Sequence, residues 1–318
     1  MINNEQQIAL PLLKTDQTNT LSDPTLPAET AVGCCLEPFV ALINHCCEAN
    51  ASWINEGPEL RVRAERPIAA NEEITFQYSA RNAADYTLRQ KEFQEVWGFE
   101  CNCTLCQKGD TGPTGPLRAA ILPFLEPLVF PSSPMLPQHI KDFETAIAAM
   151  KKAGFGYDAF GMRQLYFNVC KCYMVKQDWA NALKTALTLY YAIDPAQTPA
   201  LPASTHVNTL HCLMACVMKG HGTDAPLRPL MPALHYDLRR LLLKGLEKCY
   251  GKDSLVAIAE AADLVVTLKK HLNGFGALPA SVLGVEKSRT ERALFTARMN
   301  SLMEWAGLPA LTFEQLMA

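Results

Sequence analysis

The sequence predicts an α+β protein in which helix dominates: a small strand-containing region with a cysteine cluster, followed by an all-helical domain. Three observations carry this reading. From Gln138 to the end, apolar residues recur at three- and four-residue spacing, the period of amphipathic helices. Between Glu59 and Glu65, Leu60, Val62 and Ala64 alternate with Arg61, Arg63 and Glu65, which is the period of a half-buried strand. Between them in sequence, Cys101, Cys103 and Cys106 fall within six residues, a spacing at which thiolates can share one metal ion. The 318 residues suit two domains at roughly 150 residues each.

Taken in order, residues 1–32 are polar and proline-interrupted (Pro11, Pro24, Pro27) and read as irregular, with one short apolar patch at Ile8 to Leu13. The strand from Glu59 is followed by Arg66 to Asn71, a turn-like stretch, and by a second strand at Glu73 to Tyr78. The two are expected to pair as a hairpin. Asp85 to Val96 carries Leu88, Phe93 and Val96 near helical spacing and stops at Trp97-Gly98, where glycine suits a helix end. Residues 110–137 hold seven prolines, more than a regular element tolerates, and read as the connection between domains, with Ile121 to Phe130 packed against one of them.

Residues 138–318 then read as helices over 138–153, 160–176, 178–193, 205–219, 232–250, 254–272 and 287–306. Asp178 suits an N-cap. The stripe Trp179, Ala182, Ala186, Tyr190 followed by Asp194-Pro195 resembles the second half of a tetratricopeptide-type helical hairpin, without a clean period of 34.

Charge excludes some partners. The 29 Lys and Arg against 32 Asp and Glu give a formal charge of -3, with no basic patch to draw the chain to nucleic acid, and the arginines 61, 63 and 66 read as a solvated strand face. No run approaches the ~18 apolar residues of a membrane span, and the first twenty residues lack a signal-peptide pattern. The expectation is an intracellular chain, nuclear or cytoplasmic or both, in a reducing compartment where twelve cysteines are metal ligands or buried thiols before they are disulfides.

Three clustered thiols need a fourth ligand to close a zinc shell. Cys34, Cys35, Cys46 and Cys47 lie in the same region, and the run 44–50 is the best candidate to bring one in; three buried reduced thiols are the alternative. Cys170, Cys172, Cys212 and Cys216, although His211 adjoins the last two, sit among Leu210, Leu213, Met214 and Val217 and read as core.

Asn-His-x-Cys-x-x-Asn at 44–50, the strand Arg61-Val-Arg63-Ala64, the stretch Ile68 to Tyr78 with Glu72-Glu73-Ile74-Thr75-Phe76, and Trp97-Gly98-Phe99-Glu-Cys101-Asn-Cys103-Thr-Leu-Cys106 together resemble the second half of a SET domain with its post-SET zinc segment. A helical domain following these pieces is similar to the SMYD-like branch. The resemblance covers about Gly33 to Lys108 and implies a partial SET β domain with a post-SET zinc site over 33–109, ahead of a TPR-like helical domain.

What the resemblance implies is specific. Asn44 and His45 would contact S-adenosylmethionine, Phe99 would help enclose the cofactor and the lysine channel, and Tyr78 would be the active-site tyrosine. Cys47 would complete a zinc site with Cys101, Cys103 and Cys106. The implied activity is S-adenosylmethionine-dependent methylation of lysine in a protein substrate, histone or otherwise, with a further protein partner on the helical domain and neither nucleic acid nor membrane as direct partners.

Cys46, Ala49 and Asn71 depart from the usual Ser, Pro and Gly of these motifs; asparagine tolerates the positive φ that glycine would supply. The family's Gly-x-Gly cofactor loop stands well over a hundred residues before the tyrosine. Here 43 residues precede Asn44, with Gly33 their one glycine. The sequence thus reads as N-terminally incomplete, holding half a cofactor site: the C-terminal part of a methyltransferase. The other reading is a catalytically inactive, zinc-stabilised SET remnant that binds partners through its helical domain. A zinc-containing helical adaptor unrelated to SET would leave the 44–78 motifs unexplained.

Overall fold

The computed structural model describes residues 37–56, 59–78, 86–110, 112–125, 135–197, 203–219, 230–275 and 289–317. They fall into two compact units, one ending at Gly112 and the other beginning at Pro113. The irregular segment expected over 1–32, and Cys34 and Cys35, lie outside the described residues.

The first unit contains four strands: β1 (Asn44–His45), β2 (Ala51–Glu56), β3 (Glu59–Ala64) and β4 (Thr75–Phe76). β2 and β3 pair antiparallel, Ala51 opposite Ala64 and Glu56 opposite Glu59. β1 and β4 pair parallel, Asn44 with Thr75 and His45 with Phe76. The expected hairpin between β3 and the 73–78 strand is therefore corrected: β3 takes the preceding strand as its partner, and β4 is two residues long and joins β1. Only two residues separate β2 from β3, so their closure costs somewhat less chain entropy, by about 1 kcal/mol, than a pairing across the 65–74 stretch. Val40, Ala51 and Phe76 form a small core, flanked by Ile43, Trp53, Leu60 and Tyr78.

Asn71 has φ 65°, the left-handed turn the sequence allowed it in place of glycine. Helix α1 (Tyr86–Glu92) runs into a π-helical turn, Phe93–Trp97, and ends on Gly98 at φ 72°. Glycine takes that conformation without the Cβ clash other residues would meet. A single turn, α2 (Thr104–Gln107), follows.

The second unit is helical. The proline-rich stretch contains helix α3 (Gly115–Ile121), which corrects the expectation that no regular element would tolerate it. Pro116 sits in its first turn, where a missing N–H costs no intrahelical bond, and Pro123 falls in a 3-10 turn, Leu122–Phe124. Ile121 is fully buried. Residues 126–130 lie outside the described set. Then come α4 (Leu136–Lys152), α5 (Met162–Lys176), α6 (Trp179–Thr188) with a π-helical turn at Leu189–Ile193, α7 (Ala203–Lys219), α8 (Met231–Tyr250), α9 (Leu255–Phe275), α10 (Arg289–Ala306) and α11 (Phe313–Met317). Each of α4 to α8 packs on the next, and α10 on α6 and α8, the stacking of helical hairpins.

Asp178 caps α6, its carboxylate accepting from the Asn181 backbone N–H. Met162, Leu165, Leu183, Leu187 and Leu213 are fully buried in the shared core, with Cys170, Cys172 and Cys216 among them as expected. Gly161, at φ 83°, lies where a Cβ would come within 3.0 Å of Leu125, so both its conformation and its lack of a side chain are used. Among the described residues no helix is long and apolar enough to cross a membrane.

Candidate functional site

The site is built where the chain returns to β1 from two distant stretches. Cys47 follows β1, and its loop is held by hydrogen bonds to the β4 segment: Cys46 N donates to the Phe76 carbonyl at 2.9 Å and Gln77 Nε2 to the Cys47 carbonyl at 2.7 Å. Cys101, Cys103 and Cys106 occupy the loop after the π-helical turn. Gln90, from α1, grips that loop with both ends of its amide, accepting from Cys101 N at 3.0 Å and donating to its carbonyl at 2.7 Å. The loop tightens on itself through Gln107 N to the Cys103 carbonyl and Gly109 N to the Cys106 carbonyl.

The four thiols converge. All their sulfurs lie within 4.8 Å of one another, and Cys47 Sγ stands 3.5 Å from Cys106 Sγ and 4.0 Å from Cys101 Sγ. Sulfurs on a tetrahedral Zn²⁺ with bonds of about 2.3 Å sit roughly 3.8 Å apart, so donor type, number and spacing all suit that ion. Burial pushes Cys47 up strongly and Cys101 to about 12. Burial also works against ionisation of Cys103, but hydrogen bonds from the Cys106 and Cys47 backbone and from neighbouring thiols prevail and hold it at about 7. Metal binding would drive the remaining protons off. Among the described residues this is the one group of His, Cys, Asp and Glu whose donor atoms converge in this way; Cys212 and Cys216 belong to no such group.

His45 lies against this cluster. Its Nδ1 accepts from the Tyr78 backbone N–H at 3.1 Å, which places the proton of the neutral ring on Nε2, 3.3 Å from Cys47 Sγ. Burial lowers its pKa to about 4, with the Phe76 carbonyl opposing and Arg89 contributing, so the ring is neutral at pH 7. It packs on Phe93 at 4.3 Å, Tyr78 at 5.3 Å and Phe99 at 5.8 Å. The His45 ring is thus committed to Cys47 and Tyr78.

Tyr78 donates its hydroxyl to the Ile43 carbonyl at 2.6 Å, and its ring meets Trp97 at 4.9 Å and Phe99 edge-on. Burial, then the Glu73 carboxylate, raises its pKa, keeping the phenol protonated. Phe99 stacks on Phe93 at 5.3 Å. The described residues of this unit line an open cavity of about 690 Å³, among them Asn44, His45, Trp53, Tyr78, Trp97 and Phe99. The eight residues singled out from the sequence are therefore brought together: four at the thiol cluster and Asn44, Tyr78 and Phe99 with His45 on the adjoining cavity. Asn44 Nδ2 donates to Glu73 Oε1 at 2.6 Å.

Two contributors stand outside the eight residues singled out from the sequence. One is Arg89. The other is Asn50, buried and fully engaged: its Nδ2 donates to Glu72 Oε1 at 2.9 Å and to the Glu73 carbonyl at 2.8 Å, and its Oδ1 accepts from Thr75 N at 2.9 Å. The second asparagine of the 44–50 run is thus a clamp that fixes the β4 approach to β2. Glu72 also pairs with Arg66 at 2.6 Å; Arg66, the Ala69 amide and Asn50 hold its carboxyl down to about 2. Arg66 is therefore tied within the chain. Asn50→Ala is expected to leave the Thr75 N–H and Glu73 carbonyl without their partner at a cost of about 2–3 kcal/mol. Hydrogen exchange at Thr75 checks this: protection should fall in the variant, and unchanged protection would contradict the clamp.

Comparison with known proteins agrees with this geometry. Residues 12–79 match the SET domain model, a match that begins upstream of the Gly33 at which the sequence resemblance starts. Over 79 residues the chain is 39% identical to the histone-lysine N-methyltransferase SMYD3 of Mus musculus, covering 25% of this chain and 18% of that protein. It is 38% identical over 71 residues to the histone-lysine N-methyltransferase SET5 of Saccharomyces cerevisiae, 22% of this chain and 13% of the other. It is 26% identical over 81 residues to the SET domain and MYND-type zinc finger protein 6 of Schizosaccharomyces pombe, 26% and 17% respectively. The chain carries a SET domain segment of the SMYD-like kind, followed by a mostly helical remainder. It covers less than a fifth of the length of these relatives.

Proposed function

We propose that this chain contributes the tyrosine side of a protein-lysine N-methyltransferase site that uses S-adenosylmethionine, with Zn²⁺ held by Cys47, Cys101, Cys103 and Cys106. The observation that carries the reading is Tyr78, oriented by the Ile43 carbonyl on an aromatic-lined cavity directly beside the four-thiol cluster. A cavity of about 690 Å³ falls in the ~300–1,000 Å³ range of small-molecule sites. Asn44 and the segment around it would contact the cofactor, with Phe99 as an apolar wall.

S-adenosylmethionine supplies, when bound, an electrophilic methyl on a sulfonium. The chain's own residues then position and desolvate. The lysine amine must arrive neutral and aligned, and a wall of Tyr78, Trp97 and Phe99 disfavours its ammonium form by excluding water. Because the Tyr78 hydroxyl spends its proton on Ile43, its oxygen is left as an acceptor for polarised methyl C–H groups and for an amine N–H. The cysteines take no part in transfer: four thiolates close a zinc shell, and their work is to fasten the 99–106 loop beside the cavity.

The test is calorimetric titration of the zinc-loaded chain with S-adenosylmethionine, followed by transfer of labelled methyl to a histone mixture. Micromolar binding and lysine labelling are expected. Tyr78→Phe should keep binding while labelling drops by roughly a hundredfold. Absence of binding would overturn the reading and leave the zinc-stabilised interaction module in its place.

A further inference from the structure

We propose that Arg89 is the charge-compensating partner of the thiolate cluster, donating to Cys106 Sγ and holding the site's affinity for its metal. This rests on reading the four cysteines as a zinc site. Arginine is seldom buried unless its charge is matched, and Arg89 is only 5% exposed. Its terminal nitrogen lies 3.6 Å from Cys106 Sγ, within N–H···S range. It comes from α1, the same helix whose next residue, Gln90, clamps the Cys101 backbone. One helix therefore reaches the loop twice in succession, once at its backbone and once at its sulfur.

The chemistry gives the contact its purpose. Four thiolates around one Zn²⁺ leave two net negative charges in a buried place, where uncompensated charge is costly. A guanidinium against the cluster offsets one of them, and an N–H donated to sulfur reduces that sulfur's tendency to take a proton and leave the metal.

The test compares the full chain with Arg89→Met and Arg89→Lys, using Zn²⁺ affinity by chelator competition and the absorption of the Co²⁺-loaded proteins. Arg89→Met should lose about 10- to 100-fold in zinc affinity. Its sulfur-to-cobalt charge-transfer band should move to lower energy, because sulfur without its N–H donor gives up an electron more easily. Arg89→Lys should restore part of both. A band shift is something loss of packing alone would not produce.

Zinc affinity within twofold of the parent and an unmoved band in Arg89→Met would overturn the proposal. So would equal failure of the Lys and Met variants to bind metal, which would assign Arg89 to packing. If the unaltered chain itself takes up no zinc, the zinc reading fails first and Arg89 with it.

Discussion

Cys101→Ser or Cys106→Ser is expected to empty the metal site and undo the fold around it in one step. Zinc measured on the purified chain should fall from about one ion per chain to near zero, because a structural zinc contributes on the order of 10–16 kcal/mol to the fold it closes. The near-ultraviolet signal of Trp97 and Tyr78, which touch at 4.9 Å beside the cluster, should collapse with it. Cys47→Ser should behave alike. Cys46→Ser, whose sulfur is outside the converging group, should keep its zinc. Full zinc in Cys101→Ser would remove the site from the molecule's description.

In the helical unit the largest single effect is expected at Asp194. It is 1% exposed and accepts from Arg163 Nε at 2.8 Å; His206 Nδ1 lies 3.1 Å from its other oxygen, with the imidazole stacked on Tyr190 at 4.2 Å. Arg163 also donates to Thr209 Oγ1 at 3.0 Å, so this network joins α5, the π-helical turn after α6 and α7. Asp194→Ala strands a guanidinium only 11% exposed and should cost about 3–5 kcal/mol. The check is urea unfolding followed by helical circular dichroism. Adding Arg163→Met to the Asp194→Ala chain should recover a large part of the loss, since the stranded charge is then gone. No recovery would assign the cost to packing.

Periodicity explains what could be read from the chain and what could not. The helices from 136 to 306 each present several turns of apolar residues, so their bounds agree with the structure to within a few positions. Asn71 was legible because few residues tolerate its turn, and Cys47 because its motif stood in register with three clustered thiols. The strand expected at 73–78 survives as the two residues of β4, whereas β1, also two residues, has no period to detect, and their partnership spans 31 positions. β2 escaped because its buried Ala51 and its Trp53 do not form a clean alternation. Helix α3 was hidden by prolines, which break a helix in its interior and start one at its first turn. Arg89 and Asn50 act through contacts with chain segments distant in sequence, which residue types and spacing alone do not encode.

The separation of the ligands along the chain imposes an order of assembly. Cys101, Cys103 and Cys106 are neighbours in sequence, whereas Cys47 stands 54 residues from the first and 59 from the last. Closing a loop of that length costs entropy that three local thiols never meet. An ion arriving at the unfolded chain would be caught by the local three, and the fourth bond would form only as β1 comes to lie along β4. Metal affinity and the pairing of those two short strands would thereby be linked: whatever loosens the strands would let zinc go, and whatever withdraws zinc would loosen the strands.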